Sequence, residues 1–358
     1  MPSYQVLAGV DFNEVALKTY ASNLAASAVL ADLGAAASNT KAISALARQC
    51  KIDRSKPLIV VGGPPCQGFS AHRKKHGQVF DARNNLMLSF AKIVTRWSPE
   101  IAILENVPEI FSEKHWPIFC ALKARLIDAG YEVRAQVHNL AHFGVPQERF
   151  RALVIASKLK LGPPAPLVSR NNFRTVRDTI LHLPPVKPGQ IGRDAMHFCA
   201  SHKTSTIKVI EAVPKNGGNR PKGIGPRCLQ EVDGFRDVYG RLYWDRPANT
   251  ITANSRNPAG GRFVHPEQDR GLTVREAALL QGFPSNFVFE GSFDEKFRQI
   301  GNAVPPLFAC FLAASVWESI TSPTGQLLHS YEFDVHSPLS NSYSSGIAGR
   351  KAGSRRFV

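Results

Sequence analysis

Several features are missing from this 358-residue sequence. It contains no run of about 20 uninterrupted apolar residues, which is the length that a membrane-spanning helix needs. Its N-terminus lacks the basic and then apolar pattern of a secretory signal. Its six cysteines show no Cys-x-x-Cys spacing, which argues against a zinc site and against a disulfide framework. These absences predict a cytoplasmic protein without a structural metal and without a membrane partner.

Acidic residues are scarce, with 28 Asp and Glu against 44 Lys and Arg and a net charge of +16. The excess is concentrated: between Lys158 and Arg241 there are fifteen Lys or Arg and six Asp or Glu, a surplus of nine. An evenly spread excess would indicate only a soluble basic surface. Because this one is focused, it favours a face that binds a polyanion, and nucleic acid above all.

The stretch at residues 62–70, Gly-Gly-Pro-Pro-Cys-Gln-Gly-Phe-Ser, follows an apolar run at residues 57–61. Such an unalternating, β-branched run is typical of a strand buried in a parallel sheet. The loop then lies at the carboxyl end of that strand, where open α/β sheets bind ligands. Two prolines restrict the backbone and present the Cys66 thiol at a defined angle. The alternative is a buried structural cysteine, which would need no glycines and prolines around it. We therefore predict that Cys66 is a nucleophile.

Charged residues also follow the later strands of the predicted sheet. Glu105 comes directly after the apolar residues 101–104, where a carboxylate is costly unless it is paired or functional. Further on, alternation predicts that Gln147, Arg149 and Arg151 share one strand face. Three such side chains in a row could bind a phosphate or an electron-rich ring oxygen. The alternative, a solvated strand face, is weakened by the apolar strand that continues it.

One acid near the N-terminus is a candidate for cofactor binding. Asp11 ends the predicted strand at residues 4–11, where a carboxylate can accept two hydrogen bonds from a ribose diol. The alternative is an acid that is stabilised at a helix N-terminus by the helix dipole.

From about residue 157 the chain becomes rich in proline and glycine, which predicts a loop-rich second domain. Later, Thr273 and Glu276 form a capping box that starts a helix, and Pro305 and Pro306 start another that we expect to pack back on the first domain. The segment at residues 321–358 is predicted to be a disordered tail. The expected boundaries are therefore 1–156, 157–297, 298–320 and 321–358.

These blocks occur in the order seen in the DNA (cytosine-5) methyltransferases, which the sequence resembles from about Tyr4 to Ile320. The blocks are Gly-Pro-Pro-Cys-Gln-Gly-Phe-Ser, Glu-Asn-Val, Gln-x-Arg-x-Arg and Gln-Ile-Gly-Asn-Ala-Val-Pro-Pro. The resemblance implies a Rossmann-like α/β sheet that binds S-adenosylmethionine, with a smaller loop-rich domain that recognises the DNA target. Leu279 stands where the family usually has arginine.

The resemblance also implies roles for individual residues. Cys66 would attack the cytosine ring, Glu105 would bind N3 and the exocyclic amine, and Arg149 and Arg151 would hold O2 beside Gln147. The implied cofactor contacts are Asp11, Asp32, Pro64, Asn302 and Val304. The candidate DNA contacts are Ser70 and Arg73 in the loop after Cys66, and Arg220, Lys222, Arg227 and Arg236 in the basic region, most of them as phosphate contacts.

The implied partner is double-stranded DNA, with a cognate restriction endonuclease as a further expectation and a monomer as the expected state. Two alternatives remain open, an RNA cytosine methyltransferase and an inactive DNA-binding remnant. The second arises because the family begins with a strand and a Phe-x-Gly-x-Gly loop for the cofactor, and no match precedes Tyr4. We expect that element to lie upstream in a longer chain, or to come from a second polypeptide.

Overall fold

The computed structural model describes residues 4–64, 85–159, 161, 164–230, 237–321 and 335–339. Its strands are β1 (Ala8–Asp11), β2 (Ser27–Leu30), β3 (Ile59–Gly62), β4 (Ile101–Asn106), β5 (Glu132–Asn139), β6 (Gln147–Glu148), β7 (Phe150–Ser157) and β8 (Ala248–Asn249). Its helices are α1 (Glu14–Asn23), α2 (Leu33–Ala36), α3 (Thr40–Gln49), α4 (Asn85–Trp97), α5 (Trp116–Asp128), α6 (Val176–Ile180), α7 (Thr204–Glu211), α8 (Arg227–Gln230), α9 (Val274–Leu280), α10 (Phe293–Asn302) and α11 (Pro306–Thr321).

Six of the seven strands before residue 158 form two separate sheets, and the seventh, β6, pairs with β8. One has four strands in the order β3, β4, β7, β5, in which β3 and β4 are parallel and β7 runs antiparallel to both of its neighbours. The other contains only β1 and β2, which are parallel. The expected α/β architecture is present, and its sheet is divided between β1 and β3.

Helices cover both faces of the four-stranded sheet. On one face, α4 and α5 pack against β4, β5 and β7 in a core that includes Phe90, Leu104 and Phe119. On the other, α11 contributes Phe308 and Leu312 to a core with β4 and β7. All six residues of β4 are buried, as predicted for the unalternating apolar run that ends at Glu105. The proline-initiated helix α11 packs back on this sheet, as expected.

Residues 164–297, here called the loop-rich part, contain short helices around a separate apolar core. The predicted capping box is present at α9, where the Thr273 hydroxyl accepts from the Glu276 amide and the Glu276 carboxylate accepts from the Thr273 amide. Glu276 is also bound by both terminal nitrogens of Arg270, at 2.8 and 2.7 Å. Burial favours the neutral acid, but the bonds from Arg270 prevail and lower the pKa of Glu276 to about 2.

Buried arginines hold the loops of this part together. Arg241 is fully buried, and its guanidinium donates to the carbonyls of Ile210, Val213, His265 and Gln268. Arg262, 5% exposed, donates to the carbonyls of Gly217, Gly218 and Arg241. In helices and sheets, main-chain carbonyl oxygens accept hydrogen bonds from main-chain amides. In these loops they accept them from arginine side chains instead. Arg241, counted in the basic excess, is therefore internal rather than part of a surface.

Two side chains from the segment between β5 and β7 join the loop-rich part to the sheet. The Gln147 amide donates to the Leu280 carbonyl and the Gln281 side chain, and its oxygen accepts from the Ile251 amide. Arg149, 2% exposed, donates to the carbonyls of Ile251, Gly301 and Ala303 at 3.0, 3.1 and 3.2 Å. The sheet, the loop-rich part and the α10–α11 junction therefore meet at Arg149.

Part of the segment expected to be a disordered tail is packed. The Val335 amide donates to the Ala135 carbonyl of β5, and the Leu339 amide donates to the Phe111 carbonyl. Both side chains lie against the core of α4 and α5. The expectation of disorder is wrong for residues 335–339, because two apolar side chains there find a surface that the composition of the tail does not reveal.

The run Phe293–Thr321 is long and apolar enough to cross a membrane by length and composition alone. It consists of two helices, since α10 ends at Asn302 and α11 begins at Pro306. Phe297 and Ile300 of α10 are fully buried in the core of the loop-rich part. A helix that packs in a protein core passes the same composition test, so this run is weak evidence for a membrane partner.

Replacing Arg149 by leucine is expected to lower the free energy of unfolding by about 3 kcal/mol, because three main-chain carbonyls each lose a charged donor. Urea denaturation followed by circular dichroism measures the loss. Arg170→Leu is the control: that side chain is 71% exposed and lies 3.7 Å from Glu148, so its removal should cost less than about 0.5 kcal/mol. Equal losses in the two variants would contradict the joining role of Arg149.

Stability is expected to fall as the pH drops from about 6.5 to about 4. Burial lowers the pKa of His138 and of His265 from 6.5 to about 4. Below pH 6.5 these histidines therefore bind protons in the unfolded chain but not in the folded chain. Each histidine adds at most about 1.4 kcal/mol per pH unit to the slope of the free energy of unfolding against pH. His138→Phe should flatten the slope measured by urea denaturation at pH 7, 6 and 5. The exposed His182 offers the control variant His182→Phe, which should not.

Candidate active site

The carboxyl ends of β3 and β4 meet at one edge of the four-stranded sheet. The Asn106 side-chain amide donates to the Pro64 carbonyl at 3.2 Å. A Cβ atom on Gly63 would lie 3.9 Å from Glu105 Oε2. The loop that carries Cys66 therefore begins directly beside the Glu105 carboxylate. Cys66 itself lies outside the described residues.

Glu105 is paired with an arginine from the neighbouring strand. Arg151 Nε of β7 lies 2.9 Å from Glu105 Oε1, and both side chains are nearly buried, at 13% and 11% exposed. Arg151 also donates to the Phe150 carbonyl at 2.7 Å. Burial lowers the pKa of the Arg151 guanidinium, and the Glu105 carboxylate opposes that shift. The arginine leaves Glu105 Oε2 facing the start of the cysteine loop.

The other two members of the predicted polar row point elsewhere. Gln147 and Arg149 contact the loop-rich part and the α10–α11 junction, whereas Arg151 contacts Glu105. The expectation of one shared face is wrong, because the extended chain is interrupted at Arg149, between β6 and β7. Both terminal nitrogens of Arg149 already donate to carbonyls. Nothing in the local sequence indicates which arginine turns toward Glu105.

The two candidate cofactor acids lie at the carboxyl ends of β1 and β2. Asp11 Oδ1 accepts from the Asn13 amide at 2.8 Å, and Asp32 Oδ1 accepts from the Ala35 amide at 2.8 Å as the N-cap of α2. Each acid therefore has the local structural role typical of a turn or helix start. Each second oxygen makes no hydrogen bond to a described residue and is available to a ligand.

Sequence reasoning missed Phe12, whose side chain is 66% exposed directly after Asp11. An aromatic ring so exposed beside a carboxylate can stack on a planar ligand. Its position after the predicted strand-ending acid was the available signal.

Asn302, the last residue of α10, is exposed, and the partly buried Val304 packs against the core beneath α11. Among the described ranges, no cluster of three or more His, Cys, Asp or Glu could hold a metal ion.

The predicted DNA contacts divide into two kinds. Arg220 donates to the carbonyls of Ile224 and Leu229 at 2.5 and 3.0 Å, so it holds its own loop together. Lys222 and Arg227 are exposed on that loop and on α8. Three further candidates, Ser70, Arg73 and Arg236, lie outside the described residues.

Comparisons with known proteins show the family of this chain. The family model described as C-5 cytosine-specific DNA methylase matches residues 2–318. The chain is 36% identical over 273 residues to the type II methyltransferase M1.HphI of Haemophilus parahaemolyticus, covering 76% of this chain and 71% of that protein. It is 34% identical over 270 residues to the type II methylase M.HgiDII of Herpetosiphon aurantiacus, covering 72% and 75%.

The fold is also similar to that of a solved structure, a candidate DNA modification methyltransferase encoded within an E. coli prophage. The TM-score is 0.66 at 22% identity, and the match covers 89% of this chain and 93% of the other. At that identity the likeness concerns the fold alone. The family match covers far more than half of the chain, and it includes both partners of the Glu105–Arg151 pair. The chain therefore belongs to the family of C-5 cytosine-specific DNA methylases.

Proposed function

We propose that this chain methylates C5 of a cytosine within a specific sequence of double-stranded DNA, through a covalent adduct on Cys66. Enzymes of its family use S-adenosylmethionine as the methyl donor. The observation that carries the residue-level proposal is the Glu105–Arg151 pair, which lies at the strand edge where the cysteine loop begins. A nearly buried carboxylate suits recognition of a protonated ring nitrogen when an arginine pairs with one of its oxygens and the other makes no hydrogen bond to a described residue.

In this proposal the residues act in a defined sequence. C5 of cytosine is a poor nucleophile while the ring is aromatic. The Cys66 thiolate adds to C6, and Glu105 stabilises the protonated N3, which gives C5 the character of an enamine carbon. After methyl transfer, loss of the C5 proton and departure of the Cys66 thiolate restore the ring. We assign O2 to Arg151 rather than to Arg149, since both terminal nitrogens of Arg149 bind carbonyls.

The described residues fit part of a site for S-adenosylmethionine, which supplies an electrophilic methyl group when bound. Asp11 would accept from the ribose diol, Asp32 would face the adenine amine, and the exposed ring of Phe12 would stack on the adenine. Pro64, Asn302 and Val304 are the further proposed contacts. No described strand lies between β1 and β3 to complete the site.

Residues 157–297 are proposed to recognise the target, with residues 1–156 and 298–320 forming the catalytic domain. Lys222 and Arg227 are exposed in the basic region and are proposed phosphate contacts, with Arg220 positioning their loop. The target base must leave the duplex to reach Cys66, which costs about a few kcal/mol that these contacts offset.

We further propose a monomer in the cytoplasm, beside a cognate restriction endonuclease. The substrate class is tested by measuring transfer of a labelled methyl group from S-adenosylmethionine to DNA and to RNA. We expect transfer to DNA.

DNA that carries 5-fluorocytosine at the target should trap the protein covalently, because fluorine cannot leave C5 as a proton does. Cys66→Ala is expected to form no adduct on a denaturing gel. Glu105→Gln should slow adduct formation about 10²- to 10³-fold, since an amide cannot stabilise the charged N3 in the same way.

The exposed Cys120 of α5 provides the matched control for this experiment. Cys120→Ala should be trapped as fast as the unchanged chain. An adduct that survives Cys66→Ala would overturn the assignment of the nucleophile. If the unchanged chain neither binds S-adenosylmethionine nor forms an adduct, the inactive-remnant alternative is correct.

Lys222→Ala should weaken DNA binding and reduce the slope of log affinity against log salt by about 0.9, the value for one phosphate contact on duplex DNA. Fluorescence anisotropy at several salt concentrations measures the slope. Lys41, exposed on α3 and outside the basic region, is the control, and Lys41→Ala should leave the slope unchanged. Equal slopes for Lys222→Ala and the unchanged chain would contradict the proposed contact.

A further inference from the structure

Residues 335–339, here called the C-terminal strap, pack on the four-stranded sheet although they lie beyond the part of the chain that the family model matches. That match ends at residue 318. The side chains of Val335 and Leu339 contact the core formed with α4 and α5, while the three residues between them are exposed. Family membership therefore does not account for the strap, and its role follows from the contacts that it makes in this chain.

The two ends of the strap bind different parts of the structure. The Val335 amide donates to the Ala135 carbonyl of β5 at 2.9 Å. The Leu339 amide donates to the Phe111 carbonyl at 2.8 Å, and Leu339 pairs with Ser112 as an isolated parallel bridge. The strap therefore connects β5, a border strand of the four-stranded sheet, to the segment that follows the carboxyl end of β4.

That segment contains a short 3-10 helix, Pro108–Phe111. Within it, the Ile110 amide donates to the Val107 carbonyl at 3.2 Å. At its end, the Ser112 amide donates to the Glu109 carbonyl at 3.0 Å. Hydrogen bonds of this type have poorer geometry than those of an α-helix, and such helices are stable only in short pieces. The position of this 3-10 helix therefore depends on contacts with other elements, of which the strap is one.

The residue before the 3-10 helix is linked to the start of the cysteine loop. The Val107 amide donates to the Asn106 side-chain oxygen at 2.8 Å, and the Asn106 side-chain amide donates to the Pro64 carbonyl at 3.2 Å. Because the Val107 carbonyl accepts from Ile110 of the helix, a shift of the helix would be passed on to Asn106. The main chain that leads to Cys66 is thus oriented in part by the 3-10 helix.

Glu109 of the same helix acts on Arg151. Burial lowers the pKa of the Arg151 guanidinium, and the charges of Glu105 and then of Glu109 oppose that shift. A carboxylate favours the charged form of a neighbouring cation in this way when it lies close to it. The 3-10 helix therefore supplies a second negative charge near the arginine that fixes Glu105.

We propose that the C-terminal strap is a positioning element of the active site, which fastens the 3-10 helix and thereby holds Asn106 and Glu109 in place. Leu339 is its principal positioning residue, because both its amide and its side chain make contacts. Through Asn106 the strap orients the cysteine loop, and through Glu109 it supports Arg151. Displacement of a reacting group by about 1 Å can slow a reaction about 10²-fold, so a contact that touches no substrate can affect the rate.

The effect of the strap on the rate rests on the proposed function, and trapping by 5-fluorocytosine DNA measures it. Leu339→Asp places a charge against an apolar core and should slow adduct formation about tenfold at saturating DNA and S-adenosylmethionine. DNA affinity, measured by fluorescence anisotropy, should stay unchanged, because Lys222 and Arg227 lie in the loop-rich part. Leu339→Met keeps an apolar side chain and should react as fast as the unchanged chain.

Two controls separate positioning from a general loss of stability. Leu126→Ala removes a buried side chain from the same core and should lower stability in urea at least as much as Leu339→Asp. It should still be trapped as fast as the unchanged chain where both variants are folded. His336→Ala alters an exposed residue of the strap and should change neither stability nor rate. Equal slowing by Leu126→Ala and Leu339→Asp would mean that the strap contributes stability alone, and the proposal would be wrong.

Hydrogen exchange tests the strap without DNA or cofactor. The amides of Ile110 and Ser112 should exchange at least about tenfold faster in Leu339→Asp than in the unchanged chain, because the 3-10 helix then opens more often. The amide of Ile155 in β7, which lies between β4 and β5, should exchange equally in both. Unchanged exchange at Ile110 and Ser112 would overturn the proposal.

If thermal melting shows that Leu339→Asp does not fold, Leu339→Ala gives the same test, with trapping slowed about threefold and faster exchange at the same two amides. Unaltered trapping and exchange in that variant would contradict the positioning role. If the unchanged chain forms no adduct, the proposed function fails, and the exchange measurement then decides by itself whether the strap holds the 3-10 helix. Failure of the chemistry and failure of the strap are therefore distinguishable.

Discussion

The guanidinium of Arg149 is the contact on which the arrangement of the site depends. It binds carbonyls of Ile251 in the loop-rich part and of Gly301 and Ala303 at the α10–α11 junction. It is also two residues from Arg151, which fixes Glu105. One short segment thus sets the distance between the glutamate, the loop-rich part and the residues proposed to touch the cofactor. Gly301 packs so closely on this region that a Cβ atom would lie 2.1 Å from the Ala253 nitrogen.

Local rules predicted much of this fold. The apolar run before Glu105 forms β4, with every residue buried, because an unalternating strand must be covered on both faces. Thr273 and Glu276 form the capping box of α9, since that motif depends only on residues three positions apart. The prolines at 305 and 306 begin a helix that packs on the sheet. The order of the blocks predicted the family.

The remaining features depend on contacts that are distant in sequence. Whether an arginine binds a carboxylate or a carbonyl is decided by what the fold places opposite it, as Arg149 and Arg151 show. Arg220 is a basic residue in the basic region, which is typical of a DNA contact, yet it donates to carbonyls of its own loop. Val335 and Leu339 look like members of a polar tail until the core surface beneath them is known. Charge counting likewise could not separate the internal Arg241 from exposed cations.

The buried arginines of the loop-rich part also affect how this protein can evolve. Arg241 and Arg262 bind mostly main-chain oxygens, and a carbonyl is the same group whatever side chain its residue carries. Side chains on these loops can therefore be exchanged while the framework keeps its cross-links. This tolerance suits the role proposed for the region, which is to discriminate between nucleotide sequences. In that proposed role, new target preferences would arise by substitution at the loop surface while the loops keep their fold.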